Sequence, residues 1–297
     1  MQRILVGLIG SNIQKSLSPA LHEDACNDAG LRGYYHLMDL DKLHGRTLEG
    51  LLHAARTVGF AGVNVTYPCK EAVLPLLDDV SPEARQIGAV NTVTVDRSGR
   101  TCGHNTDRIG FRRAFEETLG GSSVRGKTVL LVGAGGAGRA VAFALMDLGA
   151  GAVFVYDTEA ERARRLADTL GAEFGKIRSR VAETIASAMA TSAGVVNATP
   201  VGMLGMLGVP GIPVPLDVIS SDQWVADVIY TPLATGLIEG ARAKGCKVMG
   251  GAGMCVHQAA ESFRLFTGRV PDLPRMQRVF IAAAARRERL LAEAGNL

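Results

Sequence analysis

The chain has 297 residues, 47% of them apolar and 21% charged, enough for about two globular domains at roughly 100–200 residues each. That stock excludes a disordered chain, and the net charge of +3, from 32 basic and 29 acidic residues, is too slight to point to nucleic acid or a membrane surface. The 36 glycines follow no collagen period and suggest tight turns and close backbone approach to a ligand.

Taken in chain order, the hydrophobic pattern alternates strands and helices. Arg3–Ile9 reads as a first strand. It is not read as a signal peptide, because no small-residue cleavage site follows it, only Ser11, Asn12, Gln14 and Lys15. Ser18 and Pro19 predict a helix to about Gly30, with Ser at the N-cap and Pro at the first helical position. Strands are expected at Tyr34–Leu40 and Ala61–Thr66, around a helix near Thr47–Val58. Pro68 opens a further helix to about Leu77. Val90–Val95 and Thr101–Gly103 form a hairpin across Arg97-Ser98-Gly99. A helix over Thr106–Leu119 leads to Gly120-Gly121-Ser122-Ser123, the expected linker into a second unit.

The second unit begins with a strand at Thr128–Val132, then a glycine-rich turn, a helix to about Leu148 and a strand at Ala152–Tyr156. Further strands are expected at Gly194–Ala198, Trp224–Ile229 and Lys247–Met249, and helices over Cys255–Phe266 and Arg275–Ala294. The order βαβαβ predicts a doubly wound parallel sheet in an α/β protein. No stretch approaches about 18 uninterrupted apolar residues, so no membrane span is expected. The five cysteines are odd in number and include no C-x-x-C pair, which suits reduced thiols in the cytoplasm. The six histidines show no metal-ligand spacing, so no metal site is expected.

Gly133-Ala134-Gly135-Gly136-Ala137-Gly138 satisfies G-x-G-x-x-G between a predicted strand and a predicted helix. Glycine is required where a side chain would hold the backbone away from a pyrophosphate, and the helix N-terminus offers free N–H groups. Asp157 stands where the next strand ends. A carboxylate there bonds the adenosine ribose hydroxyls and repels a 2′-phosphate, so the expected cofactor is NAD, with NADP a poorer substitute. The alternatives are a tight-packing turn and an ordinary strand-end acid. Arg162 either borders the adenosine or is a solvated helix arginine.

In the first unit Ser16, Ser18, Asn64, Thr66, Lys70, Asn91, Thr92 and Asn105 to Asp107 fall where strands end and helices begin, the ligand-binding edge of open α/β sheets. Neutral hydrogen-bonding groups and one lysine suit a small polyhydroxylated acid. Lys70 with Asp107 would form a proton-transfer pair for an alcohol losing hydride to nicotinamide; the same residues also read as helix caps and a plain salt bridge. Cys69 reads as a buried thiol, and His104 and His257 as packing or rim residues. The segment from Met203 to Pro215, interrupted by Gly205, Gly208, Pro210, Gly211 and Pro213, suits either a flap over the nicotinamide or a surface loop.

The motifs together resemble the shikimate/quinate dehydrogenase family from end to end. They are Ser16-Leu17-Ser18-Pro19, Asn64-Val65-Thr66-Tyr67-Pro68-Cys69-Lys70, Gly88-Ala89-Val90-Asn91-Thr92, Asn105-Thr106-Asp107 with Gly110, Gly133 to Gly138, Asn197 to Met203, Tyr230, and Gly251-Ala252-Gly253-Met254 with Gln258. The resemblance implies Lys70 as general base, Asp107 as its partner and a substrate contact, Ser16 and Ser18 at the substrate carboxylate, and Asn64, Thr66, Asn91, Tyr230 and Gln258 around the ring. Thr199, Val228 and Gly251 complete the expected cofactor contacts. The implied substrate is a hydroxylated cyclohexane or cyclohexene carboxylate, oxidised reversibly at C3. The implied architecture is a substrate domain of residues 1–110 completed by helices of 255–297, and a Rossmann-type dinucleotide domain of 111–254, in a monomer or homodimer that binds neither nucleic acid nor membrane.

Two departures sort the chain within the family. Biosynthetic members commonly carry an Asn-Arg-Thr stretch after the second cofactor strand, and here Tyr156-Asp157-Thr158-Glu159 stands in its place. Phe263-Arg264-Leu265-Phe266 occupies a region where those members often have tryptophan. Both resemble the NAD-using quinate/shikimate branch. Ser18 is kept where some NAD-using quinate enzymes have threonine. The alternatives are an NADP-dependent biosynthetic shikimate dehydrogenase, an aminoshikimate-type dehydrogenase, and a metabolite-binding regulator without catalysis.

Overall fold

The computed structural model describes residues 2–204 and 209–294. In chain order the elements are β1 (Arg3–Gly10), α1 (Ser18–Asp28), β2 (Arg32–Asp39), α2 (Leu48–Val58), β3 (Gly62–Val65), α3 (Cys69–Ala72), β4 (Asp79–Val80), α4 (Pro82–Ile87), β5 (Thr92–Val95), β6 (Thr101–His104) and α5 (Thr106–Thr118). Then come β7 (Thr128–Val132), α6 (Gly136–Asp147), β8 (Ala152–Tyr156), α7 (Ala160–Phe174), β9 (Ser179–Val181), α8 (Ile185–Met189), β10 (Gly194–Asn197), β11 (Trp224–Asp227), α9 (Gly236–Ala243), β12 (Lys247–Met249), α10 (Ala252–Thr267) and α11 (Leu273–Ala294). Two compact units divide them: Met1–Thr106 with Val256–Leu297, and Asp107–Cys255. Among the described residues no helix is long and apolar enough to cross a membrane.

The first unit holds a six-stranded sheet in the order β2-β1-β3-β5-β6-β4. β1 runs parallel to β2 and β3, whereas β3, β5 and β6 pair antiparallel. Ile9, Leu52, Val63, Val65, Val73 and Val93 form its buried core. Buried Met276, Phe280 and Ala284 on α11 recur at the i, i+4 spacing of one helix face. Arg275 on the same helix clasps α1, donating to both carboxylate oxygens of Asp24 at 2.7 and 2.9 Å and to Asp28 at 2.7 Å. The Arg275 guanidinium holds the Asp24 carboxyl below its ordinary range.

Two expectations for this unit are corrected. Ser18 is the first residue of α1 rather than its N-cap. Leu17 takes the cap position with helical backbone and no side-chain bond, and the Ser16 hydroxyl accepts the Ser18 N–H at 3.2 Å. Leu17 is buried, so its apolar side chain is drawn into the core and the first turn closes one residue early. The helix expected from Pro68 to Leu77 is only α3 followed by a 3₁₀ turn over Leu74–Leu76, because Pro75 lacks the N–H that an α-helix needs there. β4 and α4, which the hydrophobic pattern does not reveal, follow that turn; the Ser81 hydroxyl caps α4 by accepting from Ala84 N at 3.2 Å.

The second unit is a six-stranded sheet in the order β12-β11-β10-β7-β8-β9, every neighbouring pair parallel. This is the doubly wound dinucleotide-binding order, with its switch point between β7 and β10. Gly120 to Ser123 is not a boundary. Gly121–Ser123 is a 3₁₀ turn inside this unit, and the Trp224 indole N–H donates to Ser123 O at 3.1 Å. The unit begins instead at Asp107 because α5 carries buried Phe111 and Phe115, and Phe115 packs edge-on to Trp224 at 4.9 Å between centroids. Phe115→Ala should therefore destabilise the protein by about 3–5 kcal/mol in urea unfolding; a loss below about 1 kcal/mol would contradict this packing.

Candidate active site

In the first unit the candidate substrate groups stand on loops at the carboxyl ends of strands. The loop after β1 is fastened from the neighbouring strand by Asp39, which is 1% exposed. Its carboxylate accepts from Asn12 N at 3.1 Å, Ile13 N at 3.2 Å, Gln14 Nε2 at 3.1 Å and Asp41 N at 3.1 Å. Asn12 adopts the left-handed conformation, φ +55°, which asparagine tolerates better than most residues. Burial alone would push the Asp39 carboxyl up, but its donors together hold it below the ordinary carboxylate value. The loop then delivers Ser16 and Ser18, whose hydroxyls bond each other at 3.2 Å. Arg287 of α11 steadies the same loop by donating to Lys15 O.

A polar network lies behind these loops. Asn64, on a strand buried along its whole length, receives the Tyr35 hydroxyl at 2.9 Å on its carbonyl oxygen. Its amide reaches Asn91 O at 3.2 Å, Thr92 Oγ1 at 3.0 Å and Ser262 Oγ at 3.0 Å. Asn91 accepts from Thr106 N at 2.8 Å and donates to Thr106 Oγ1 at 3.0 Å. Thr106 in turn lies 3.1 Å from Ser262 and 3.4 Å from Gln258 Oε1. Asn64, Asn91 and Gln258 are thus brought together, and both ends of the Asn64 amide are engaged in holding β3, β5 and α10. Sequence reasoning passed over Ser262 and Tyr35. Ser262 had a signal, four residues after Gln258 and so on the same helix face.

Thr66 follows β3, with its N–H on Ile9 O at 3.0 Å. Lys70 is half-buried on α3, and its carbonyl accepts from Val90 N at 2.8 Å. Cys69 is buried, and burial pushes its thiol up, which suits packing and not nucleophilic work. His104 bonds Thr94 Oγ1 at 3.3 Å, and His257 is buried. Asp107 is the first residue of the second unit, in the first turn of α5. The next residue, Arg108, grips Asp147 of α6 through two bonds at 2.7 and 2.6 Å.

In the second unit the glycines of the turn differ in what they permit. Gly133 has φ +102°, and a Cβ there would meet Ala198 C at 2.8 Å; one on Gly138 would stand 1.9 Å from Gly133 O. A Cβ on Gly135 would meet nothing within 4 Å. The first glycine therefore makes the turn, the last lets α6 pack against it, and the middle one faces open space where a pyrophosphate could approach. Ala134, Gly136 and Ala137 complete the turn, and Gly135 caps α6 with no side chain on its free N–H groups. Asp157 accepts from Ala134 N at 2.7 Å and from Glu159 N at 2.9 Å, which fastens the turn to the end of β8. Arg162 is in an exposed ion pair with Glu159 at 3.0 Å.

Thr199, Val228 and Gly251 also converge. Asn197 accepts from Thr199 N and Oγ1 at 3.0 and 2.7 Å, and its amide donates to Asp227 at 3.0 Å. Val228 N donates to Asn197 O at 3.0 Å, and Gly251 N to Ile229 O at 3.1 Å. Asp227, unremarked in the sequence, is fully buried, and burial pushes its carboxyl up to about 6 against the pull of Ile229 N, Thr235 and Asn197. Tyr230 follows, half-buried. Of the Met203–Pro215 segment, Gly205 and Gly208 lie outside the described residues. Its flanks are tied by Gly202 N to Val209 O at 2.8 Å and Leu204 N to Thr231 O at 2.8 Å.

Comparison with known proteins gives a consistent answer. Residues 8–93 match the family model of the shikimate dehydrogenase substrate binding domain, 115–201 that of shikimate / quinate 5-dehydrogenase, and 251–279 that of the shikimate 5′-dehydrogenase C-terminal domain. The chain is 48% identical over 276 residues to a shikimate dehydrogenase (NADP(+)) of Streptomyces avermitilis, covering 92% of this chain and 93% of that one. It is 45% identical over 283 residues to a quinate/shikimate dehydrogenase (NAD(+)) of Corynebacterium efficiens, covering 94% and 98%. The quinate dehydrogenase of Corynebacterium glutamicum, solved in complex with NAD, superposes with a TM-score of 0.88 at 43% identity, over 95% of this chain and all of that one.

The Asp39 anchor yields a pH-dependent expectation. A carboxyl that titrates lower when folded than its unfolded value of about 3.9 stabilises the native state above that value, and the gain disappears as pH falls through the folded value. Asp39→Asn should lose about 1–3 kcal/mol relative to wild type in urea unfolding at pH 6, and the gap should shrink toward pH 3. A gap that stays constant across that range would contradict the anchor.

Proposed function

Since the chain belongs to the shikimate/quinate dehydrogenase family, we propose that it is an NAD-dependent dehydrogenase that reversibly oxidises the C3 hydroxyl of shikimate, quinate or both to the 3-dehydro ketone. The observation that carries the cofactor choice is the Asp157 carboxylate bonded to the glycine turn at 2.7 Å. A negative charge fixed there accepts the ribose hydroxyls of NAD and repels the 2′-phosphate of NADP. The donor set fits NAD: a glycine turn with open space at Gly135, a start of α6 without a side-chain cap, and Thr199, Val228 and Gly251 on the adjoining loops.

In the mechanism we propose, Ser16 and Ser18 hold the substrate carboxylate by hydroxyl donation, while Thr66, Asn91, Tyr230 and Gln258 orient the ring hydroxyls. Asn64 holds Asn91 and Thr92 in place. Bound NAD⁺ supplies the hydride acceptor. Lys70 Nζ takes the proton of the C3 hydroxyl as the C–H bond breaks, and Asp107 steadies the same hydroxyl and the resulting ammonium. In reverse, Lys70 returns the proton to the oxygen of the ketone. The setting we propose is the reducing cytoplasm, in keeping with five free cysteines.

A second reading, NADP-dependent shikimate reduction, is favoured by the Streptomyces relative, which is named for NADP(+). Rates with NAD⁺ or NADP⁺ against shikimate or quinate separate the two. Turnover with NAD⁺ is expected, and turnover confined to NADP⁺ with shikimate would establish the second reading. Lys70→Ala should lower kcat by at least about 10²-fold with the Kd for NAD unchanged; equal loss of both would remove Lys70 from the proton transfer. Asp157→Ala should narrow the ratio of kcat/KM for NAD to that for NADP by about tenfold or more, whereas an unchanged ratio would assign the preference elsewhere.

A further inference from the structure

We propose that Asp227 is the positioning residue of the nicotinamide end of the cofactor site: from inside the sheet it sets the loop after β10 and the loop after β11 in one geometry. This rests on the reading of the second unit as an NAD site.

Asp227 ends β11 directly opposite Asn197, the last residue of β10, in the parallel register. Both are wholly shielded from solvent. One carboxylate oxygen accepts from Asn197 Nδ2 at 3.0 Å and from Ile229 N at 3.0 Å; the other accepts from Thr235 Oγ1 at 2.7 Å. The bond to Asn197 fixes which way its amide lies, so that its carbonyl oxygen faces Thr199 N and Oγ1. Thr199 is thereby held where its methyl group lies 2.9 Å from a Cβ built on Gly133, beside the glycine turn. The bond to Ile229 N shapes the chain between Val228 and Tyr230. Gly251 is fitted to that chain so closely that a Cβ on it would lie 2.2 Å from Val228 O. Thr235 joins the N-cap of α9 to the same carboxylate.

A buried carboxylate bonded by an amide, a backbone N–H and a hydroxyl is a costly choice for packing alone, since an apolar residue of similar size would cost less. What an apolar residue cannot do is accept from three donors on three different segments at once. Thr199, Val228 and Gly251 lie at distant points of the chain, and Asp227 is bonded to each of their segments directly or through one residue.

The test is the affinity of the purified chain for NAD, by titration calorimetry, together with the KM values for NAD and for shikimate or quinate. Asp227→Ala should weaken NAD binding and raise its KM by about tenfold or more, with the KM for the hydroxy acid changed less than about twofold. Asp227→Asn, which keeps one acceptor oxygen and the shape, should recover most of the affinity. Thr235→Val, which removes the 2.7 Å donor and keeps the carboxylate, should weaken NAD binding in the same direction and gives a reading should Asp227→Ala fail to fold. Wild-type affinity in both Asp227→Ala and Thr235→Val would overturn the inference while leaving the NAD reading intact. Equal rises in both KM values would overturn it also, as general loosening. A wild-type chain without affinity for NAD would remove the cofactor reading and this inference together.

Discussion

Parallel strands gather their ligand-binding loops at one edge, and those loops begin with backbone N–H groups that have lost their ladder partners. An aspartate at the end of the neighbouring strand supplies the missing acceptor in two places, and a third aspartate makes a side-chain version of the same link. Asp39 of β2 accepts from Asn12 N and Ile13 N after β1, and Asp157, just past β8, accepts from Ala134 N after β7; Asp227 of β11 accepts instead from the side-chain amide of Asn197 at the end of β10. Gly10 pairs with Asp39 and Asn197 with Asp227 in the strand register, so the acid stands one strand over at the level where pairing stops. An unsatisfied buried donor costs about 1–3 kcal/mol, which is why loops this close to the core take such anchors.

The first unit adds a different support. Antiparallel pairing of β3, β5 and β6 brings Asn64, Thr92 and His104 side by side, and α10 covers them with Ser262 and Gln258. Hydroxyl and amide groups there bond one another in a continuous run, from Tyr35 through Asn64 to Asn91, Thr106 and Ser262. Such a network rigidifies only when every member is satisfied. Asn91 and Gln258 are oriented in it by hydroxyl and amide groups, a suitable background for a hydroxylated ring.

Much of this was legible in the sequence, and what was not has definite causes. β7, β8 and β12 fall where their branched apolar residues predict them, and the glycine turn with Asp157 was readable because its spacing is fixed by a ligand. Pro75 shortened a predicted helix, and Leu17 displaced a predicted cap, because packing outweighed the local signal. Asp39 and Asp227 stayed silent for another reason. A single acid at a strand end has no sequence spacing of its own, since its partners lie on the neighbouring strand and are set by register. Asn64 was legible as polar and site-proximal, yet only the fold reveals that its amide is engaged by Asn91, Thr92 and Ser262.

Asp39 and Asp227 differ in electrostatics, and the difference lies in the balance between burial and donors. Asp39 has four donors divided between its two oxygens, and the gain from these bonds outweighs burial, so its carboxyl lies below the ordinary value. Asp227 has three, and burial wins, raising it to about 6. Hydrogen bonds to a charged acceptor are stronger than neutral ones. Near neutral pH both therefore hold their loops as carboxylates, but Asp227 does so close to the edge of its titration. The anchor beneath the candidate substrate loop stays charged well into acid, and the one beneath the cofactor loops does not. By linkage, acidification therefore removes the contribution of Asp39 beneath the candidate substrate loop, whereas Asp227, raised by its burial, is favoured in the fold when it takes up its proton, so the two anchors respond to acid in opposite directions.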